Sequence, residues 1–328
     1  MKPIIPFALL GALLAVGAAN AAVTTPVGYA STELLPNKFS LVGLTLQNPT
    51  TAAGVLDAVS AAPNTVTDSD VDFDAVLTGG ATYILELSDG TVQEITSWAG
   101  NVLTTPSDLS GLVTPATTTY TLRKAATVSD IFGANNSVGL TPSPDGDTSI
   151  ADTLQVPSGS GFEVIYYFND GAGFEGWFTE GGDPAENYVL NYADGFYVKR
   201  IAGGPINLVV SGEVKLDPTS GVLANGFNYL GAVAPAGLTL GDSGLEAFIS
   251  QSSDGDTSLV DTVQVQLDGP SGAYRVCYYF NDGAGFEGWF DEGGDPADDQ
   301  ALDSGFLIFN RDAAKPYTVS VPGFYSTL

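Results

Sequence analysis

Apolar and polar residues alternate over short stretches in this chain, and turn-forming residues punctuate them. Thr153-Leu154-Gln155-Val156 and Thr262-Val263-Gln264-Val265 keep the period of two that places alternate side chains on opposite faces of a strand. Tyr83–Leu87 reads as a strand entering the Ser88-Asp89-Gly90 turn, with Glu94–Trp98 returning. Tyr120–Lys124 and the stretch Tyr274–Tyr279 have the same character. Helical spacing is scarce, and only Thr51–Ala61 and Thr127–Phe132 are expected to form short helical turns. The pattern predicts an all-β chain of tandem sandwich-like or barrel-like modules.

Internal repetition divides the chain. Asp145-Gly146-Asp147-Thr148-Ser149 recurs as Asp254-Gly255-Asp256-Thr257-Ser258, each followed by a further Asp (Asp152, Asp261) that opens a strand. Next comes a hairpin, Tyr-Tyr-Phe-Asn-Asp-Gly-Ala-Gly-Phe-Glu-Gly-Trp-Phe, identical at Tyr166–Phe178 and Tyr278–Phe290. Its Asn-Asp-Gly centre supplies residues that tolerate positive φ, as a tight hairpin requires. Then Glu180–Ala185 repeats as Glu292–Ala297, both reading Glu-Gly-Gly-Asp-Pro-Ala, and an aromatic closing strand ends in Arg200 or Arg311. Upstream, Asn37–Gly43 echoes Asn225–Gly231, which suggests a more diverged first unit. The expected order is a leader over 1–21 and β modules over 22–125, 126–215 and 216–328.

The leader is the one sustained apolar run. Lys2 precedes an uncharged stretch from Ile4 to Gly17, which ends in Ala18-Ala19-Asn20-Ala21-Ala22. A basic start, an apolar centre and an Ala-x-Ala exit predict a secretory signal cleaved after Ala21. The run is short for a membrane span, which needs about 20 residues. The expected location is outside the cytoplasm: extracellular, at the cell surface or periplasmic.

Charge and composition then remove classes of function. Over 328 residues there are 10 Lys+Arg against 38 Asp+Glu, a net charge of −28, which repels nucleic acid and anionic lipid. Such a surface suits calcium, cationic partners or a saline medium. With no histidine, Ser-His-Asp and Cys-His catalysis and His-ligated metals are excluded. Cys277 is the single cysteine, so no intrachain disulfide forms, and its strand setting suggests a small buried hydrophobe. Neither a nucleophile elbow nor a phosphate-binding Gly-rich loop is present.

Val23–Tyr29, directly after the leader, together with Ala126–Gly133 and Asp194–Arg200, resembles an uncharacterised family of exported, paralogous, β-rich proteins of Verrucomicrobia-type bacteria. The resemblance covers nearly the whole mature chain and implies export and a β-rich fold. It brings no activity and no catalytic residues.

Three constellations are candidates for chemistry. Asp145, Asp147 and Asp152, and likewise Asp254, Asp256 and Asp261, offer oxygens at alternate loop positions, which could surround calcium. The same spacing builds Asx turns, in which the carboxylates accept from nearby backbone N–H groups. Trp177 and Trp289, with Tyr167, Tyr279, Phe174 and Phe286 and the acids Glu175 and Glu287, could form a sugar-stacking face; alternatively these aromatics fill the space between sheets. Glu175/Glu287, Glu180/Glu292 and Asp183/Asp295 could be paired for glycoside hydrolysis. Repetition argues against this last reading, because tandem units build binding surfaces more readily than duplicated catalytic centres. The expected function is a secreted or cell-surface, non-catalytic structural or interaction protein, able to self-assemble. The alternative is a calcium-assisted carbohydrate-binding array with a glycan or envelope partner, and a carboxylate glycosidase ranks behind both.

Overall fold

The computed structural model of the chain describes residues 25–267 and 272–327. The leader over 1–21 lies outside the described residues. The rest is mostly strand, with two short helices and several open sheets; no sheet closes into a barrel among the described residues. Of the two architectures expected, the open, sandwich-like one is therefore found.

Two five-stranded antiparallel sheets share one topology. In the first, the order across the sheet is Glu175–Thr179, Gly161–Asn169, Thr153–Ser158, Gly195–Arg200 and Lys38–Gly43. In the second it is Glu287–Asp291, Tyr274–Asn281, Thr262–Gln266, Gly305–Asn310 and Gly226–Gly231. The registers match residue for residue: Tyr167 faces Trp177 across the first hairpin, and Tyr279 faces Trp289 across the second. Each module also pairs its first and last strands as a ribbon, Val27–Leu34 with Ile206–Glu213 and Thr219–Leu223 with Lys315–Val319.

Sheet membership departs from the linear division at 125/126. Lys38–Gly43 is the edge strand of the first five-stranded sheet, hydrogen-bonded to Gly195–Arg200 far along the chain. The echo between Asn37–Gly43 and Asn225–Gly231 thus marks equivalent strands of two copies, not the start of a third. The first copy is interrupted by an inserted unit. Its sheets are Thr50–Val55, Thr119–Lys124, Tyr83–Leu87 and Val92–Glu94, and Ala58–Ala61, Asn64–Thr67, Val102–Thr104 and Ser97–Ala99. Leu56, Val66, Phe73, Leu85, Leu103, Tyr120 and Leu122 form its core. The helical turn expected over Thr51–Ala61 is two strands instead, since Thr50–Val55 finds a partner in Thr119–Lys124 and Ala58–Ala61 in Asn64–Thr67. The second expected helix is present as Val128–Phe132, with Thr127 and Asp130 forming a reciprocal capping box.

Alternation sorts each hairpin into two faces. Leu154, Ile165, Tyr167, Trp177, Phe196 and Val198 point inward to one core; Val263, Cys277, Trp289, Phe306 and Ile308 do so in the other. The modules meet where the ends of four strands converge. A Cβ on Gly43 would lie 2.7 Å from the Gly231 Cα, and one on Gly231 would lie 2.4 Å from the Tyr192 carbonyl oxygen. Only glycine permits that approach. Nearby, the Tyr197 and Tyr274 hydroxyls are 3.0 Å apart, and Phe162 packs edge-on against Tyr229. The insert is tied down by buried charge: Glu86 pairs with Lys215 and accepts from the Tyr192 hydroxyl at 2.7 Å, and Arg123 pairs with Glu213. No described helix is long and apolar enough to cross a membrane.

Candidate functional site

The repeated loop and hairpin sit together at the outer edge of each module. Within the first loop, Asp145 Oδ1 accepts from the Asp147 N–H at 3.1 Å, and Asp147 Oδ1 accepts from the Ser149 N–H at 2.8 Å. Buried Ser143 ties the turn from beneath by accepting from the Gly146 N–H and donating to the Asp147 carbonyl. The second loop repeats the bonds at Asp254, Asp256 and Ser252. Hydrogen bonding by the side chain and backbone of Ser149 holds the Asp147 carboxyl below its usual range, and Ser258 does the same for Asp256. These loops have the geometry of Asx turns.

Asp152 and Asp261 do not join the loop carboxylates. Asp152 is fully buried, paired with Arg200 at 3.2 Å, and accepts from the Thr141 and Ile201 N–H groups. Asp261 is equally buried, pairs with Lys315, and accepts from the Ser250 and Arg311 N–H groups. Each therefore clamps the end of its closing strand. Among the described residues no three or more of His, Cys, Asp and Glu are placed to hold a metal ion together.

The clamps also show that Arg200 and Arg311 are not equivalent, although both follow an aromatic strand. Register aligns Arg200, opposite Lys38, with Asn310, opposite Gly226. Arg200 donates to the Leu34 carbonyl; Asn310 donates to the Leu223 carbonyl at the matching place. Asn310 keeps the bond to that carbonyl but neither the charge of Arg200 nor its bond to the buried aspartate, and Lys315 from the next strand supplies the cation.

Trp177 and Trp289 are each 1% exposed and edge-on to Tyr167 and Tyr279. They belong to the two cores, so neither indole offers a face to a surface ligand. The reason is register: both residues alternate with outward positions, and the sheet turns that side toward the core. The indoles are not equally satisfied. Trp177 Nε1 donates to the Gly133 carbonyl at 2.9 Å, whereas Trp289 Nε1 has no acceptor among the described residues.

The outward side carries a phenylalanine cluster of which only Phe174 and Phe286 were singled out from the sequence, and there together with the buried tryptophans. Phe168, Phe174 and Phe178 pack together with ring centroids 5.5–6.2 Å apart, and Phe280, Phe286 and Phe290 do so at 5.6–6.1 Å. Phe174 and Phe286 are each 59% exposed. The turn holds them there. Asp170 Oδ1 accepts from the Ala172 and Phe174 N–H groups, and Gly171 and Gly173 take positive φ; Asp282 with Gly283 and Gly285 repeats this. Glu175 and Glu287 are exposed at the start of the returning strand, on the face of Tyr167 and Tyr279 opposite the phenylalanines, and accept from Asn169 and Asn281. The signal was available in the spacing, since Phe168 and Phe178 lie one residue from the buried Tyr167 and Trp177 and so on the opposite face.

The Glu-Gly-Gly-Asp-Pro-Ala motif also finds a role. Thr179 N–H donates to the Asp183 carbonyl and Ala185 N–H to the Trp177 carbonyl, so the bend covers the outer edge of Glu175–Thr179. Asp291, Asp295, Trp289 and Ala297 repeat the arrangement. This blocks an edge that could otherwise recruit another strand.

Comparison with known proteins found no matching family model, no matching curated protein and no matching solved structure.

Proposed function

We propose that the chain is an exported, non-catalytic structural or interaction protein of the cell envelope or its surroundings, which presents one aromatic-tipped hairpin twice. The carrying observation is the pair of identical exposed phenylalanine clusters on rigid, hydrogen-bonded turns. An exposed phenylalanine held in duplicate by the same turn is a costly surface feature in a monomer, and contact with a partner offsets that cost. Two sites on one chain add avidity without new contacts. The buried Asp clamps and indoles are engaged within the fold, which leaves the acids of this region structural. Export and kinship with the uncharacterised exported family that the sequence resembles form part of the same reading.

The exposed rings of Phe174 and Phe286 favour a glycan as the second candidate partner, stacked on them in place of the tryptophans. The test compares wild type with Phe174→Ser, Phe286→Ser and the double variant for retention on isolated envelope fractions and on a glycan array. Retention that falls modestly in each single variant and by at least tenfold in the double is expected. Equal retention of all four proteins removes the hairpins from the function. Release of reducing sugar from a polysaccharide panel would overturn the non-catalytic reading.

A further inference from the structure

Glu86 and Lys215 stand 129 positions apart in the chain and meet in the interior. Glu86 lies in Tyr83–Leu87, a strand buried along its whole length. Leu85 and Leu87 point into the core of the insert, whereas Ile84 belongs to the core of the first module. Glu86 shares the face of Ile84 and so reaches out of the insert toward that module. There the Lys215 ammonium sits directly on Glu86 Oε1, and the Tyr192 hydroxyl donates to Oε2 at 2.7 Å. All three side chains are shut off from water.

This contact differs from the other ion pairs that reach the interior. Asp152 and Glu213 face the guanidiniums of Arg200 and Arg123, which stay protonated and are poor nucleophiles. Asp261 faces Lys315, whose side chain is 20% exposed and shared with the exposed Asp312. Lys215 is instead an enclosed primary amine, its side chain 2% exposed. Burial pulls its ammonium below the ordinary range, against the attraction of Glu86. An uncharged, nucleophilic amine is therefore more accessible here than on a solvated lysine. Holding two charges out of water is costly, and a neutral product relieves that cost.

We propose that Lys215 and Glu86 join in an amide, an intramolecular cross-link that staples the insert to the segment between the two modules. In the step, the Lys215 ammonium gives a proton to Glu86 Oε1, and the freed amine adds to Glu86 Cδ. The tetrahedral carbon then expels Oε1, which takes a second proton from the nitrogen and departs as water. One hydrogen stays on the nitrogen, and Oε2 remains as the amide oxygen. No oxidant, nucleotide or second molecule enters the balance. Tyr192 donates to Oε2, and that bond strengthens as negative charge gathers there in the tetrahedral species. Fixed contact replaces the collision that amide formation between separate molecules needs, and the dry setting keeps out the water that would reverse it. A chain whose single cysteine excludes an intrachain disulfide gains a covalent staple by this route.

Mass spectrometry of the purified mature protein, unfolded in acid so that no ion pair survives, tests the proposal and needs no variant to fold. The wild-type chain is expected to weigh about 18 Da less than its sequence requires, the mass of one water. Digestion should release the peptides of Glu86 and Lys215 as one branched species. Lys215→Arg keeps the positive charge but cannot form the amide, and should have its full sequence mass. Tyr192→Phe, sampled at intervals after a pulse of synthesis, should link at least about tenfold more slowly than wild type, since it lacks the donor to Oε2. The cross-link is overturned if the wild type has its full mass. It is equally overturned if the deficit persists in Lys215→Arg without a branched species, as a succinimide at an Asp-Gly pair would give. Linking of Tyr192→Phe at the wild-type rate would remove Tyr192 from the step.

Discussion

At the scale of single residues, equivalent positions in the two modules carry different loads. Asp152 neutralises an Arg200 that is 3% exposed. Asp152→Ala would strand that charge, and breaking a buried pair from one side costs about 3–5 kcal/mol. Asp145→Ala, on the exposed Asx turn, is expected to cost far less, and urea denaturation of the two variants gives the comparison. The indoles provide a second contrast. Trp177→Phe loses volume and the indole hydrogen bond to the Gly133 carbonyl, which keeps only the Asn136 N–H, whereas Trp289→Phe loses the same volume together with an N–H that had no partner among the described residues. The first should therefore be more destabilising by about 1 kcal/mol, the net value of one hydrogen bond. Cys277 is buried, and desolvation pushes its thiol up to about 11. A thiol-reactive dye should label it only on unfolding; labelling of the native protein at neutral pH would contradict its place in the core.

At the scale of elements, the turns and bends decide what each strand can do. The hairpin turn fixes an outward aromatic tip, and the Gly-Gly-Asp-Pro bend closes the neighbouring edge. Strand ends matter equally where the modules meet. Gly231→Ala would push a Cβ to 2.4 Å from a backbone oxygen, which cannot move aside as a side-chain tip would. Overpacking of this kind costs about 1–3 kcal/mol. Calorimetry should show a lowered melting temperature, while Gly28→Ala, with open space around its Cβ, should show almost none.

At the scale of the whole molecule, a net charge of −28 repels itself, so stability should rise with sodium chloride as screening shortens the reach of that repulsion. Calcium acts through the same term unless it finds a site. With the DGDTS carboxylates bonded into Asx turns and Asp152 and Asp261 held by cations, calcium and magnesium at equal millimolar concentration should raise the melting temperature equally. A clear excess for calcium would restore the loops as a metal site.

The all-β class, the duplicated hairpin and its turn, and the helix opening at Thr127 were legible along the chain. Each depends on period-two alternation, on residues tolerant of positive φ or on capping chemistry, all of which act between near neighbours. The sequence also determined the exclusions, because a chain without histidine and with a single cysteine lacks those chemistries in any fold. Tertiary structure alone decided the rest. Alternation separates the two faces of a hairpin but does not say which face meets a core, so the tryptophans went inward and the phenylalanines outward. Linear order could not show that Lys38–Gly43 pairs across an inserted unit with Gly195–Arg200, since strand pairing is set by burial and register over long separations. The same holds for Glu94 and Asp194, which are a hundred positions apart in the chain and line one hollow only because the insert folds against the first module.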